Sequence, residues 1–130
     1  MSTPVAIALV AHQGCYLVGR RGPNGPLAGY FEFPGGKCLP GEVPEACAVR
    51  ECLEETGLPV EVIRLRREIP FTYPYGAVRL YFFDCRLLPD SEPHKVHPAF
   101  QWVPQRKLPE YRFPEPNQSL LTELAATPEG

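Results

Sequence analysis

Residues 36–58 read GKCLPGEVPEACAVRECLEETGL, and this stretch decides the fold. Its second half, 45–56, contains no glycine or proline and is rich in alanine and glutamate. Pro44 stands just before it and Gly57 just after it. Proline is tolerated in the first turn of a helix and glycine is favoured immediately beyond its end, so the pattern predicts a helix over 45–56.

Three glutamates fall on one side of this predicted helix. Each helical residue turns by roughly 100°, so Glu54 and Glu55 lie within about 60° of Glu51 around the axis. The opposite half is more apolar and is predicted to face a sheet. That half contains Ala46, Val49, Cys52, Leu53 and Thr56.

The acidic side of the helix has two interpretations. Like charges three and four positions apart destabilise a helix by about 0.2–0.5 kcal/mol per pair. A hard divalent cation, Mg²⁺ above all, removes that cost because it binds oxygen ligands. The alternative is an acidic face that is simply solvated, and the three glutamates by themselves leave both interpretations open.

The wider spacing resembles the Nudix box, G-x5-E-x7-R-E-U-x-E-E-x-G-U, in which U is a bulky apolar residue. Cys52 occupies the first U position, a mild departure that is compatible with burial. The matching positions are Gly36, Glu42, Arg50, Glu51, Glu54, Glu55, Gly57 and Leu58. On these residues the chain is identified as a member of the Nudix hydrolases.

The resemblance implies an α/β fold, with one Nudix domain over 1–130 built as an α/β/α sandwich around a mixed β-sheet. It also implies hydrolysis of a nucleoside diphosphate linked to another group, with Mg²⁺ as cofactor and Mn²⁺ as a possible substitute. In the family, the residues that match Glu51, Glu54 and Glu55 bind the metal. The backbone carbonyl group that matches Gly35 often joins them.

The resemblance also distributes roles within the box. Glu51, Arg50 and Glu54 match the catalytic residues: base-like roles are assigned to the glutamate at 51, and the arginine orients it. Gly36, Glu42 and Gly57 match positions that support the loop and helix as a framework. Cys38 and Cys47 lie near the box, and we interpret both as ordinary thiols of the core or surface.

Two further segments narrow the likeness to the MutT-like branch. Residues 31–37, FEFPGGK, are similar to the segment that enters the box there, and 113–117, FPEPN, are similar to its F-P-x-x-N stretch. The asparagine of that stretch reads the base of an oxidised guanine nucleotide. Capping of the following helix is the alternative role for this residue. The implied substrate contacts are Arg21, Phe33, Lys37 and Asn117.

The chain departs from this branch at two positions. Val96 stands where the branch has a further glutamate that helps to bind metal or activate water, and Gly76 stands where it has an arginine near the base. The implied activity is that of a Mg²⁺-dependent nucleoside triphosphate pyrophosphohydrolase, with 8-oxo-dGTP, a DNA-repair substrate, as one candidate. The alternatives are hydrolysis of another nucleoside diphosphate derivative, such as CTP, a modified pyrimidine triphosphate or ADP-ribose, and a catalytically silent domain that binds nucleotide.

Composition excludes several other classes of protein. The 130 residues carry a formal charge of −2, which argues against a partner that is a nucleic-acid polymer. No apolar run reaches the roughly 18 residues of a membrane span, and no basic residue precedes the apolar run at 5–11, so we expect a cytoplasmic protein. The five cysteines include no C-x-x-C pair, which disfavours a disulfide framework or zinc site.

The rest of the chain is predicted to consist of strands and one further helix. Apolar and β-branched segments predict strands at 5–11, 15–20, 30–33, 60–69, 77–88 and 100–103. The first two should form a hairpin. Loops are predicted at 22–26 and 89–98, a turn region at 71–76, and a second helix at 116–126.

Overall fold

A computed structural model describes residues 2–25 and 27–127, so Pro26, the last residue of the first predicted loop, lies outside it. The strands are β1 (Thr3–His12), β2 (Cys15–Arg20), β3 (Phe31–Glu32), β4 (Gly35–Lys37), β5 (Val60–Tyr73), β6 (Gly76–Leu87) and β7 (Phe100–Pro104). The helices are α1 (Pro44–Thr56) and α2 (Gln118–Ala126), with short 3₁₀ turns at Gln105–Glu110 and Glu115–Asn117. None of the described helices is long and apolar enough to cross a membrane.

Strand β1 lies at the centre of a mixed sheet. It runs parallel to β6 from Thr3 to Val10 and antiparallel to β4 from Val5 to Ile7. Its last residues pair instead with β2, which continues the sheet through β3 and β7. The sheet therefore divides at the end of β1, and helices cover its faces as the α/β expectation requires.

The two faces of β1 contribute to two hydrophobic cores. Ala6, Ala8 and Val10 pack in the core that includes Cys47, Ala48 and Cys52 of α1. Leu9, on the other face, packs in the core that contains the apolar stripe of α2. Period-two alternation along the strand explains this division, because successive side chains point to opposite faces. The α2 stripe consists of Leu120, Leu121 and Leu124.

The structure confirms the predicted first hairpin, whereas the predicted turn region at 71–76 is partly wrong. Gln13 and Gly14 both have positive φ, of 48° and 76°, as a two-residue hairpin turn of the primed type requires. In the second hairpin β5 continues to Tyr73, which pairs with Gly76. The rings of Phe71 and Tyr73, with centroids 4.7 Å apart, lie within this extended strand.

The buried face of α1 differs from the predicted one. Cys52 and Thr56 are buried as expected, but Ala46 is exposed and Leu53 is 49% exposed. The helix rests on the sheet through a face rotated toward Ala48, because its flank also packs against β4. The C-terminus follows the expected pattern: Gly57 adopts the left-handed conformation, with φ of 82°, and its N–H donates to the Leu53 carbonyl oxygen.

The second helix begins two residues later than predicted, and two other elements were not predicted. Pro116 and Asn117 belong to a 3₁₀ turn that precedes α2. Strand β4 is only three residues long and rich in glycine, so its sequence has no strand signal. The 3₁₀ turn at 105–110 likewise has no hydrophobic period, although it buries Leu108 completely.

Matched leucine truncations test the observed orientation of α1. Leu120→Ala should lower the free energy of unfolding by about 2–5 kcal/mol, because Leu120 is fully buried. Leu53→Ala should change it by less than about 0.5 kcal/mol, because half of that side chain is already in water. Urea denaturation of both variants measures the difference. Equal losses of unfolding free energy in the two variants would show that Leu53 belongs to the core.

Candidate active site

Helix α1 and strand β4 meet so closely that only glycine fits between them. A Cβ atom at Gly36 would overlap Oε2 of Glu51 on α1, and one at Gly35 would overlap the carbonyl oxygen of Ala6 on β1, the strand that pairs with β4. The missing side chains therefore let the carboxylate of Glu51 lie directly over the backbone of β4. This contact is the physical reason for glycine at the first position of the box.

Arg50 links three carboxylates around this contact. Its Nε and Nη2 donate to the two carboxylate oxygens of Glu42, at 2.7 and 2.9 Å. Its Nη1 donates to Oε1 of Glu51 at 2.8 Å and to Oε1 of Glu54 at 3.1 Å. The loop before α1 is thus tied to the middle of the helix, and two of the predicted metal ligands are brought to one guanidinium group.

Glu42 is fully engaged as a structural partner. Besides the two bonds from Arg50, it accepts a hydrogen bond from the backbone N–H of Leu39 at 2.9 Å. The bonds from Arg50 and then from Leu39 lower the pKa of Glu42 to about 2. Ligand atoms of Cys38 and Cys47 lie within 4.8 Å of Glu42, but Arg50 already occupies both of its oxygens, so these three residues make a poor cation site.

Glu55 is in a different electrostatic situation. Burial raises its pKa to about 7, and the negative charges of Glu32, Glu51 and Glu54 add to the effect. A hydrogen bond of 3.0 Å from the backbone N–H of Gly35 opposes the shift without cancelling it. In the protein alone, the fold therefore holds this carboxylate where its negative charge is disfavoured.

The carboxylates fit a divalent metal ion. All the side-chain donors are carboxylate oxygens, the ligand type that Mg²⁺ and Mn²⁺ take in proteins. Burial first, and then the neighbouring carboxylates, raise the pKa of Glu55, so a bound cation would stabilise its charged form. Glu51 and Glu55 approach β4 from α1, whereas Glu54 is exposed at the outer edge. The acidic side of α1 therefore consists of two partly buried carboxylates, of Glu51 and Glu55, and the exposed carboxylate of Glu54, and it is not a uniformly solvated face.

A pocket of about 220 Å³ adjoins this carboxylate cluster. Its apolar wall includes Phe33, whose ring lies 4.8 Å from that of Phe113. Asn117 also lines the pocket, and only 8% of it is exposed. Its backbone occupies the N-cap position of α2, but its side chain makes no capping hydrogen bond. The side chain of Asn117 therefore does not fill the predicted alternative role of capping α2.

The remaining predicted substrate residues also border this pocket. Lys37 follows Gly36 at the end of β4, and Nη1 of Arg21 donates to Oε1 of Glu32 at 3.1 Å. The structure therefore brings all four predicted substrate residues to one pocket beside the carboxylate cluster. Val96 stands where the MutT-like branch has a glutamate. It lies in the loop between β6 and β7 and packs against the core beneath α1.

Sequence reasoning missed several residues of the pocket, among them one charged and two aromatic side chains. Glu32 connects the pocket to the carboxylates, because it pairs with Arg21 and its charge acts on Glu55. Its position inside the FEFPGGK segment was the available signal. Tyr73 and Tyr75 stack with ring centroids 5.0 Å apart at the tip of the β5–β6 hairpin and line the same pocket. They lie in the segment that was predicted to be only a turn.

Comparisons with known proteins agree with this geometry. The model of the NUDIX domain family matches residues 5–123. The 8-oxo-dGTP diphosphatase of Escherichia coli is 26% identical over 121 residues, covering 92% of this chain and 94% of that protein. The 8-oxo-dGTP diphosphatase of Haemophilus influenzae is 31% identical over 94 residues, covering 72% of this chain and 69% of that protein.

Solved structures show the same fold. The MutT protein of Methanosarcina mazei superposes with a TM-score of 0.78 at 24% identity, covering 95% of this chain and 92% of that one. A MutT Nudix hydrolase of Burkholderia pseudomallei gives 0.78 at 22% identity, covering 98% and 99%. With the family match over most of its length and the carboxylate cluster over β4, the chain belongs to the NUDIX domain family, among its MutT-like hydrolases.

Proposed function

We propose that this protein is a Mg²⁺-dependent pyrophosphohydrolase of nucleoside triphosphates, with a purine nucleotide such as 8-oxo-dGTP as its substrate. One observation supports the proposal. The carboxylates of α1 adjoin a pocket lined by Asn117, which is nearly buried and whose side chain makes no capping hydrogen bond. The names of the relatives from E. coli and H. influenzae support the choice of nucleotide. The products are the nucleoside monophosphate and pyrophosphate.

The carboxylate cluster supplies the metal ligands in this proposal. Glu51, Glu54 and Glu55, with the carbonyl oxygen of Gly35, would hold Mg²⁺ or Mn²⁺. When bound, the metal neutralises phosphate oxygens, polarises phosphorus and lowers the pKa of bound water. Arg50 keeps Glu51 and Glu54 in one arrangement, because its Nη1 contacts both.

Glu51 is the proposed base. Arg50 donates to its Oε1, so Oε2 is the oxygen left free of protein donors, available to the metal ion or to the proton of the attacking water. The close approach to Gly36 fixes the direction of this carboxylate. The protein contributes positioning and electrostatics, and the reaction requires no covalent intermediate.

The pocket is the proposed nucleotide site. Lys37 and Arg21 would contact the phosphates at its rim, and the ring of Phe33 would pack against the base. An asparagine amide offers one donor and one acceptor group, which together match a purine edge. Small pyrimidine triphosphates or ADP-ribose are the alternative substrates, and nucleotide binding without turnover is the alternative function.

A nucleotide panel with and without chelator tests the proposed function. We expect release of pyrophosphate from 8-oxo-dGTP in Mg²⁺, a lower rate with dGTP and CTP, and no hydrolysis in EDTA. Separate assays for pyrophosphate and for phosphate identify the bond that is cleaved. Full activity in EDTA would contradict the role of the carboxylate cluster. Nucleotide binding without hydrolysis of any nucleotide would show that the domain is catalytically silent.

Glu54→Gln tests the metal ligands without disturbing the core. Activity should fall by about 10²-fold or more, the order that loss of one electrostatic stabiliser costs. Glu54 is exposed, so its ion pair with Arg50 contributes little, and the free energy of unfolding should change by less than about 0.5 kcal/mol. Glu45→Gln, at an exposed position in the first turn of the same helix, is the matched control and should retain full activity. Unfolding of the Glu54→Gln variant would instead make Glu54 a structural residue.

Two substitutions at Asn117 separate base recognition from capping. Asn117→Asp preserves the shape and the capping ability of the side chain but removes the amide donor. One lost bidentate contact is worth about 1–3 kcal/mol, so both Asn117→Asp and Asn117→Ala should reduce the preference for 8-oxo-dGTP over CTP by about tenfold to hundredfold in kcat/KM. A preserved preference, together with lower stability in the alanine variant alone, would assign Asn117 to capping.

A further inference from the structure

A second cleft, of about 610 Å³, opens at the far end of β1 from the carboxylate cluster. The pairing of β1 with β6 ends at Val10, after which β1 turns to pair with β2. The cleft lies in the resulting gap, between the Gln13–Gly14 turn and β5. Ile7 borders the first pocket and Leu9 borders the cleft, so the two sites are about 7 Å apart at their nearest points along the strand.

The cleft is lined by polar side chains that are about nine-tenths buried. Tyr16 is 6% and Asp84 7% exposed, and the side chain of Arg66 is 10% exposed. Arg66 donates through Nε to Oδ1 of Asp84 at 2.7 Å and through Nη1 to Oε1 of Glu123 at 3.1 Å. These bonds hold the guanidinium group in one position at the cleft wall.

Several hydrogen-bonding groups at this wall are unused. Within residues 2–25 and 27–127, neither the hydroxyl of Tyr16 nor Nη2 of Arg66 has a hydrogen-bond partner. Oδ2 of Asp84 has no hydrogen bond either, although Nε of Arg64 lies 2.8 Å from it in an ion pair. Of these three atoms only Oδ2 of Asp84 is fully buried, so the donor groups of Tyr16 and Arg66 remain accessible to a ligand.

Two irregularities in β5 present the arginines to the cleft. The register with β6 shifts between Val62 and Arg64 and again between Leu65 and Arg67, so Ile63 and Arg66 are extra residues without a partner in the ladder. A bulge re-aims the side chain of the extra residue. Regular alternation through this segment would not give Arg66 its observed place beside Asp84.

The chemistry of the wall favours an oxyanion. The charged side chains that line the cleft are Arg64, Arg66 and Asp84, with a net charge of +1. Burial raises the pKa of Tyr16, so its hydroxyl remains protonated at neutral pH and is available as a donor. Guanidinium groups bind tetrahedral oxyanions through several N–H groups at once.

We propose that this cleft binds a phosphate group of a small molecule through Tyr16, Arg64 and Arg66. The volume exceeds that of a phosphate ion, so the remaining space would hold the organic part of a phosphate monoester. The site is separate from the proposed active site, and the inference does not depend on which nucleotide is hydrolysed. The contrary view is that the ion pairs only fasten α2 to β5.

Amide NMR of the full chain tests the proposal with two probes, inorganic phosphate and ribose 5-phosphate, at constant ionic strength. Saturable shifts are expected at Gly14 and at the side-chain amide of Gln105, both of which line the cleft. Shifts at Gly35 and Gly36 report separately on the active site. Tighter binding of ribose 5-phosphate identifies a monoester ligand, and tighter binding of inorganic phosphate identifies the free ion. Absence of saturable shifts at Gly14 and Gln105 with either probe overturns the proposal.

Three variants assign the binding to the named groups. Tyr16→Phe keeps the ring and removes the hydroxyl, and Arg64→Gln removes an exposed guanidinium group, so both should fold. Each should weaken binding by roughly tenfold, the equivalent of one charge-assisted hydrogen bond. Arg86→Gln is the matched control, because Arg86 and Arg64 have 66% and 64% of their side chains exposed and each pairs with one carboxylate. Equal weakening in the Arg86→Gln variant, or none in the other two, would show that the cleft wall is only structural.

Discussion

The guanidinium group of Arg50 and the carboxylates around it organise the proposed active site. Arg50 reaches from the middle of α1 to Glu42 in the preceding loop and also to Glu51 and Glu54 on its own helix. Three negative charges in this space would repel one another, and one delocalised cation with several N–H donors offsets that repulsion. The loop, the helix and the glycines of β4 are therefore held in one arrangement before any substrate arrives.

The same arrangement leaves one charge uncompensated. Arg50 serves Glu42, Glu51 and Glu54, whereas Glu55 receives the backbone N–H of Gly35 and has other carboxylates nearby. A protein that needed only a stable helix would gain by placing a neutral residue there. The raised pKa of Glu55 reflects a stability cost of its negative charge, and in the proposed function a bound divalent cation would remove that cost.

Local signals in the sequence predicted the parts of the fold that depend on local chemistry. The α1 helix between Pro44 and Gly57, the first hairpin and the gathering of the box glutamates follow from caps, turns and spacing. The exposed Leu53 could not be predicted, because the rotation of α1 on the sheet is determined by its contact with β4, which is distant in sequence. Strand β4 itself is formed by pairing with β1 rather than by its own residues.

The residues of the candidate sites also differ in how far the sequence predicts them. Four substrate residues were predicted from short motifs, and all four border one pocket. Glu32 and Tyr73 were missed because their importance comes from neighbours across the sheet or from an extended hairpin. No sequence motif indicates the second cleft. It depends on the point where β1 stops pairing with β6 and pairs with β2, and on two shifts of register in β5.

The prolines explain why Asn117 is available to the pocket. An asparagine at an N-cap ordinarily has extended backbone and uses its side chain to accept an N–H from the first helical turn. Pro114 and Pro116 lack N–H groups and restrict the backbone, and Asn117 lies in a 3₁₀ turn with φ of −89° and ψ of −14°. From that conformation its side chain makes no cap, and the side-chain amide of Gln118 donates to the carbonyl oxygen of Phe113, which ties the first residue of α2 to the segment before it. The sequence FPEPN therefore frees a nearly buried amide at the wall of the pocket while a neighbouring glutamine secures the start of the helix.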